Sequence, residues 1–166
     1  MPTICRLLQL SPDQADALVA QPQTLAQAVA SANTHSDVYR YWHGIQYLLA
    51  RHRPDSAAAN WLSLGRPVSA ATAAVPSARV VTPQEVAQLD AVIREIQPDD
   101  LIPDYDALAL DQAGVYPRTW VEWEETFDPL GQLLEHYSFL QMFVAKRAAA
   151  GDALLLYFEP MADGSV

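Results

Sequence analysis

The chain has 166 residues, 20 acids against 10 lysines and arginines, and a formal charge of -10. That length fits one domain able to bury about two thirds of its unfolded surface, and a hydrophobic share of 51% with 18% charged residues is too apolar for a disordered chain. The sign of the charge disfavours nucleic acid, whose phosphates would repel it, and a lone cysteine, Cys5, excludes an internal disulfide and leaves no cysteine-based zinc site.

Thr3–Leu10 has the composition of a strand, and Cys5 within its apolar run reads as a buried structural thiol. This stretch is short, lacks a cleavage site and is broken by Arg6, so no export signal is expected. No apolar run approaches the ~20 residues of a membrane span. The expectation is a cytoplasmic protein. Ser11 and Pro12 then supply a cap and a first helical residue, for a helix with Ala15, Leu18 and Val19 on one side. Gln21-Pro22 interrupts it, and Thr24–Ala32 reads as a second, alanine-rich helix.

Over Asp37–Ala50 the residues Val38, Tyr41, Trp42, Ile45, Leu48 and Leu49 repeat as one buried helical stripe. Arg51-His-Arg-Pro54 closes that helix with bases suited to its negative end. Residues 54–77 are weakly patterned, with a short helical turn at Asn60–Leu64 and a loop at Gly65-Arg-Pro67. About twenty such residues inside one domain are uncommon and are often mobile or functional. Ala78–Val81 reads as a strand, and Thr82-Pro-Gln-Glu85 is a capping box for a helix running to about Ile96.

Asp99–Ala113 suggests short helical segments broken by Pro103 and ended near Gly114. Asp128-Pro129 repeats the cap-plus-proline device for a long helix with Leu130, Leu133, Leu134, Tyr137, Leu140 and Val144 inward and Gly151 as its stop. Ala153–Glu159 closes the chain as a strand buried on both faces. The fold class that follows is a single α+β domain over residues 1–166. It has a small mixed sheet formed by the terminal and middle strands, packed by several helices including the long C-terminal one.

The charge is divided along the chain. Residues 1–94 carry 6 acids and 7 bases, whereas residues 95–166 carry 14 acids and 3 bases. The acidic part holds the run Tyr116–Asp128, where Trp120, Trp123 and Phe127 alternate with Glu122, Glu124, Glu125 and Asp128. Rigid aromatics ringed by carboxylates suit capture of a basic partner, so Glu122, Trp123, Glu124, Glu125 and Asp128 are the candidate partner-binding residues. Tryptophan is equally a core residue, and both readings of Trp123 stand at this point.

Arg40, His43 and Tyr47 fall three and four residues apart, which projects all three to roughly one helix face. Together with Arg79 and Tyr116 they are candidates for a ligand pocket; the plainer alternative is a polar helix rim beside a buried Trp42. His35, His43, His52 and His136 show no metal-ligand spacing. No nucleophile elbow, phosphate loop or Cys-His signature is present. Asp99, Asp100, Asp104, Asp106 and Asp111 are spaced as helix caps and solvated loop rather than as a catalytic pair.

Three segments together resemble the YfbM-like bacterial family, a domain of unknown function. They are Arg40-Tyr-Trp-His-Gly-Ile-Gln-Tyr-Leu-Leu49, Ala78-Arg-Val-Val-Thr-Pro-Gln-Glu-Val86, and Tyr116-Pro117 followed by Trp120, covering about residues 37–160 in order and spacing. Gln46 stands where the family commonly has histidine, Ala50 where glycine often follows, and Val80 where an aromatic is usual. The resemblance implies the fold class, a cytoplasmic bacterial setting, and fold-holding roles for Tyr116 and Trp120. It implies no activity.

The functional expectation is a non-enzymatic, acidic protein-binding domain, most concretely a bacterial immunity protein that neutralises a basic toxin, a secreted toxin being one such partner. The competing expectation is an enzyme or small-ligand-binding protein with a pocket around Arg40, His43, Tyr47, Arg79 and Tyr116. Neither calls for a cofactor or metal, for nucleic acid or for a membrane. A monomer or weak dimer is expected, because two acidic faces repel.

Overall fold

The computed structural model describes residues 3–32, 34–70, 72 and 76–161. In chain order its elements are β1 (Thr3–Leu10), α1 (Pro12–Ala20), α2 (Leu25–Ser31), β2 (His35–Tyr39), α3 (Trp42–His52), β3 (Arg66–Pro67), β4 (Arg79–Val81), α4 (Pro83–Ile93), α5 (Ala107–Gln112), α6 (Trp120–Glu124), α7 (Pro129–Ala150) and β5 (Ala153–Pro160). Short 3-10 helices occupy Pro22–Thr24, Ala57–Ser63 and Pro98–Asp104.

The five strands form one sheet in the order β2-β1-β5-β4-β3. The two terminal strands lie side by side from Thr3↔Pro160 to Leu10↔Ala153, and the middle strand β4 sits on the other flank of β5, as the sequence predicts. Every pairing is antiparallel, so the sheet is not mixed. Each strand's direction follows from the end of the sheet at which its connection re-enters, and no local composition records that.

Alternation along β5 divides the interior in two. Leu154, Leu156 and Phe158 join Cys5 and Leu7 in the larger core under α3, α4 and α7, whereas Ala153, Leu155 and Tyr157 join Leu8 and Leu10 under α1 and α2. Successive side chains of a strand point to opposite faces, which is why a run of six apolar residues is needed at the centre of a doubly covered sheet. Cys5 is fully buried, and burial first, then the charge of Asp37, pushes its thiol well above the ordinary value. It is a packing residue.

Local capping carries much of the helical order. Ser11 with Gln14 and Thr82 with Glu85 both complete capping boxes ahead of a proline. The Asp128 carboxylate accepts the Gly131 N–H at 2.8 Å to start α7, and Gly151 ends it at φ 72°. Midway along α7, Tyr137 and Gln141 both donate to the carbonyls of Ile93 and Ile96. The Ile93 carbonyl ends α4 and also accepts the Ile96 N–H at 3.2 Å, while Ile96 lies just past the helix, so α7 side chains secure the turn that follows α4.

The helix expected over Asp37–Ala50 is instead a strand followed by a helix. His35–Tyr39 pairs with β1 as an edge strand, Tyr39 turns the chain at φ 53°, and α3 begins only at Trp42. Val38 and Tyr41 are buried, so the apolar spacing is real, but pairing with a strand some thirty residues earlier overrides the local helical period.

In the weakly patterned stretch, Ala57–Ser63 forms the 3-10 helix and Arg66–Pro67 pairs with Arg79–Val80 rather than looping. Residues 71 and 73–75 lie outside the described part. Among the described residues no helix is long and apolar enough to cross a membrane.

Candidate functional site

The turn between β2 and α3 projects Tyr39, Arg40 and Tyr41 toward α6, α7 and the turn joining them. The Arg40 guanidinium lies 4.5 Å from the centre of the Trp123 ring, with Phe127, Tyr39 and Tyr41 at 5.6, 5.8 and 5.9 Å. His136 of α7 completes the wall, stacked on Tyr41 at 5.0 Å and on Tyr39 at 6.0 Å. Trp123 in turn packs edge-on against Trp120 and Tyr41. The left-handed backbone at Tyr39, unusual for an aromatic residue, brings Tyr39 and Tyr41 onto the same imidazole.

A second aromatic stack adjoins this box. Trp42 lies between His43 at 5.2 Å and Tyr116 at 5.1 Å. Its indole donates to the Thr3 carbonyl at 3.1 Å, while the Tyr116 hydroxyl accepts from the Thr3 N–H. The Tyr116 N–H donates to Nδ1 of His43 at 3.0 Å across 73 positions of sequence. A backbone N–H can only donate, so Nδ1 is the acceptor and the neutral ring carries its proton on Nε2. Burial, and then the charge of Arg118, hold the His43 imidazole below its ordinary pKa. His136 is also lowered, by burial first and by Arg40, against the opposing pull of Asp37 and Glu135.

Of the five residues expected to line a pocket, three converge. Arg40, His43 and Tyr116 sit in the two joined stacks, and the Arg40 charge acts on the Tyr116 phenol. Tyr47 is engaged further along α3 by Arg51, whose guanidinium donates to its hydroxyl at 3.3 Å. Arg79 is elsewhere: β4 is three strands from β2, roughly 14 Å at ordinary strand spacing. Its guanidinium donates to the carbonyls of Leu64 and Gly65 at 2.8 Å each. Arg79 is therefore a loop clamp.

The acidic run also divides. Trp123 is half-buried in the aromatic box, Asp128 caps α7, and Glu124 is the first charge, after burial itself, that keeps the Tyr105 phenol protonated far above its ordinary range. Glu122 and Glu125 are exposed. Asp106 caps α5, and both Asp111 oxygens accept from the first amides of α6, Trp120 at 2.9 Å and Val121 at 3.1 Å. Asp100 closes onto the Gln97 N–H and Asp104 pairs with His52 at 3.2 Å. Much of the acidity of this half is therefore helix capping, which satisfies amide donors without cancelling charge.

Tyr39, Tyr41 and His136 are the members of the box that sequence reasoning did not assign to a site. Tyr41 reads locally as one residue of a helical stripe, and nothing within a few positions of His136 signals that a strand end will stack on it. Among the described residues no three His, Cys, Asp or Glu side chains gather to hold a metal ion.

No curated protein matches this chain. Among solved structures the fold is similar to that of YfbM from Escherichia coli, a protein of unknown function, at a TM-score of 0.66 and 10% identity over 94% of this chain and 99% of that one. That likeness shows a shared fold. The family model described as a domain of unknown function, DUF1877, matches residues 1–157, and the chain belongs to that family.

Proposed function

We propose that the chain is a non-enzymatic cytoplasmic binding protein whose α5–α6 face docks a basic protein. Its most concrete form is a bacterial immunity protein that blocks a toxin. The observation carrying this reading is a pair of apolar side chains left in solvent on the two packed acidic helices: Leu108 is 58% exposed and Val121 40%. They share α5, α6 and their cap positions with Asp106, Asp111, Glu122, Glu124 and Glu125, none of which forms an ion pair among the described residues. The base nearest in sequence, Arg118, is turned to the Gly114 carbonyl at 3.2 Å.

Carboxylates without counter-charges speed encounter with a basic surface, while exposed aliphatic anchors supply the desolvated contact. In this reading Val121 and Leu108 make the contact, and Trp123 stiffens α6 from behind. The test is capture, by the immobilised full chain, of proteins encoded in its own gene neighbourhood, at low and moderate salt. Salt-sensitive capture that is lost in Glu122→Lys/Glu125→Lys and in Val121→Asp supports the proposal. No captured neighbour, or capture unchanged in both variants, overturns it.

A further inference from the structure

The charge of Arg40 is held in place and left unanswered. Arg6, Arg53, Arg94 and Arg147 each pair with a carboxylate, and Arg79 and Arg118 donate to backbone carbonyls. Arg40 has no ion pair among the described residues; its guanidinium reaches the Tyr41 hydroxyl, while its buried Nε has no acceptor. Aromatic faces attract a cation but accept no strong hydrogen bond, so cation–π contact leaves the guanidinium's remaining donors to be met by something else. A buried charged donor without an acceptor is costly, and such a group in a native fold points to a missing water, ion or ligand.

We infer that Arg40 anchors a binding site for a small monocarboxylate with a flat apolar body. The planar guanidinium fork matches a carboxylate bidentately. Half-buried Tyr39, Trp123 and Phe127 border it with ring surface for an apolar body. The surroundings select against higher charge: Asp37 and Glu135 both act on His136 in the wall, and Glu122, Glu124, Glu125 and Asp128 flank Trp123 and Phe127 in sequence. In that field a single negative charge can be answered by Arg40, whereas a phosphate dianion keeps an unopposed second charge. The site is separate from the exposed α5–α6 face and stands or falls independently of it.

The experiment is an NMR titration of the full chain with benzoate, acetate and inorganic phosphate, read at the Trp123 indole N–H and the Arg40 Nε–H. Benzoate is expected to give saturable shifts at millimolar concentration, acetate weaker binding, and phosphate none. Arg40→Lys keeps the charge and removes the fork, and should weaken benzoate about tenfold or more. Absence of saturable benzoate shifts in the unaltered chain overturns the site, and equal affinity in Arg40→Lys overturns the role of Arg40. Phosphate binding tighter than benzoate overturns the carboxylate assignment. The three-ligand comparison needs no variant, so it holds even if Arg40→Lys does not fold.

Discussion

Arg40 and Trp123 are partners: the guanidinium of one lies 4.5 Å from the ring centre of the other, joining the turn after β2 to α6. Their contact ties the basic residue of the N-terminal half to the aromatic at the centre of the acidic half. A double-mutant cycle of Arg40→Ala and Trp123→Ala in urea denaturation should show a favourable coupling of about 1 kcal/mol. Strictly additive losses would mean that the two residues merely pack near one another.

Gly44 lets α3 approach the Trp120 ring. A Cβ there would fall 2.6 and 2.8 Å from Trp120 ring atoms and 2.8 Å from Leu133 Cδ1, and both side chains are fully buried. Gly→Ala inside a helix ordinarily stabilises by about 1 kcal/mol. Here Gly44→Ala should destabilise by about 1–3 kcal/mol through overpacking, read as a lower denaturation midpoint with an unchanged slope.

The two half-buried imidazoles make stability depend on pH in a defined direction. His43 and His136 both sit below the ordinary 6.5 in the folded chain, so below that pH the unfolded chain binds more protons. Their contribution is therefore complete above about pH 6.5 and is lost as pH falls through the lowered folded values. The denaturation midpoint should drop between about pH 7 and 5, above most carboxylate titration. A His43→Asn/His136→Phe variant, which removes both titrations while retaining an acceptor for Tyr116 and a ring against Tyr41, should show a flatter profile. An unchanged slope would place the pH dependence elsewhere.

Tyr137 and Gln141 serve the same two carbonyls at the end of α4. Tyr137→Phe alone should cost about 0.5–1.5 kcal/mol, because Gln141 continues to satisfy both acceptors. Tyr137→Phe/Gln141→Ala should cost more than the sum of the single changes, since only then does the Ile96 carbonyl lose both of its side-chain donors. Thermal or urea melts of the three variants measure this.

Elements signalled within a few residues were legible before any coordinates. Ser11-Pro12, Thr82-Pro83 and Asp128-Pro129 mark helix starts because a cap oxygen reaches amides only two or three positions away. The six buried residues of β5 mark a strand covered on both faces. The segment Asp37–Tyr41 reads as helix because its helical period is genuine, while the pairing of β2 with Cys5–Leu8 that defeats it is long-range. Residue type alone groups Arg79 with Arg40, and it does not carry the sheet order that separates them.

The chain by itself determined its α+β class, its helix caps, the strand character of its two ends and the acidity of its second half. These rest on hydrogen bonds and burial periods that close within a few residues, or on totals that any conformation preserves. Tertiary structure alone decided that Trp123 turns inward onto Arg40, that Asp111 reaches the first amides of α6, and that Leu108 and Val121 remain in solvent. Each of these outcomes depends on which surfaces meet once α6 and α7 pack over the end of β2. Charge and aromatic content mark a segment as capable of recognition, but packing selects which of its side chains stay free to recognise anything.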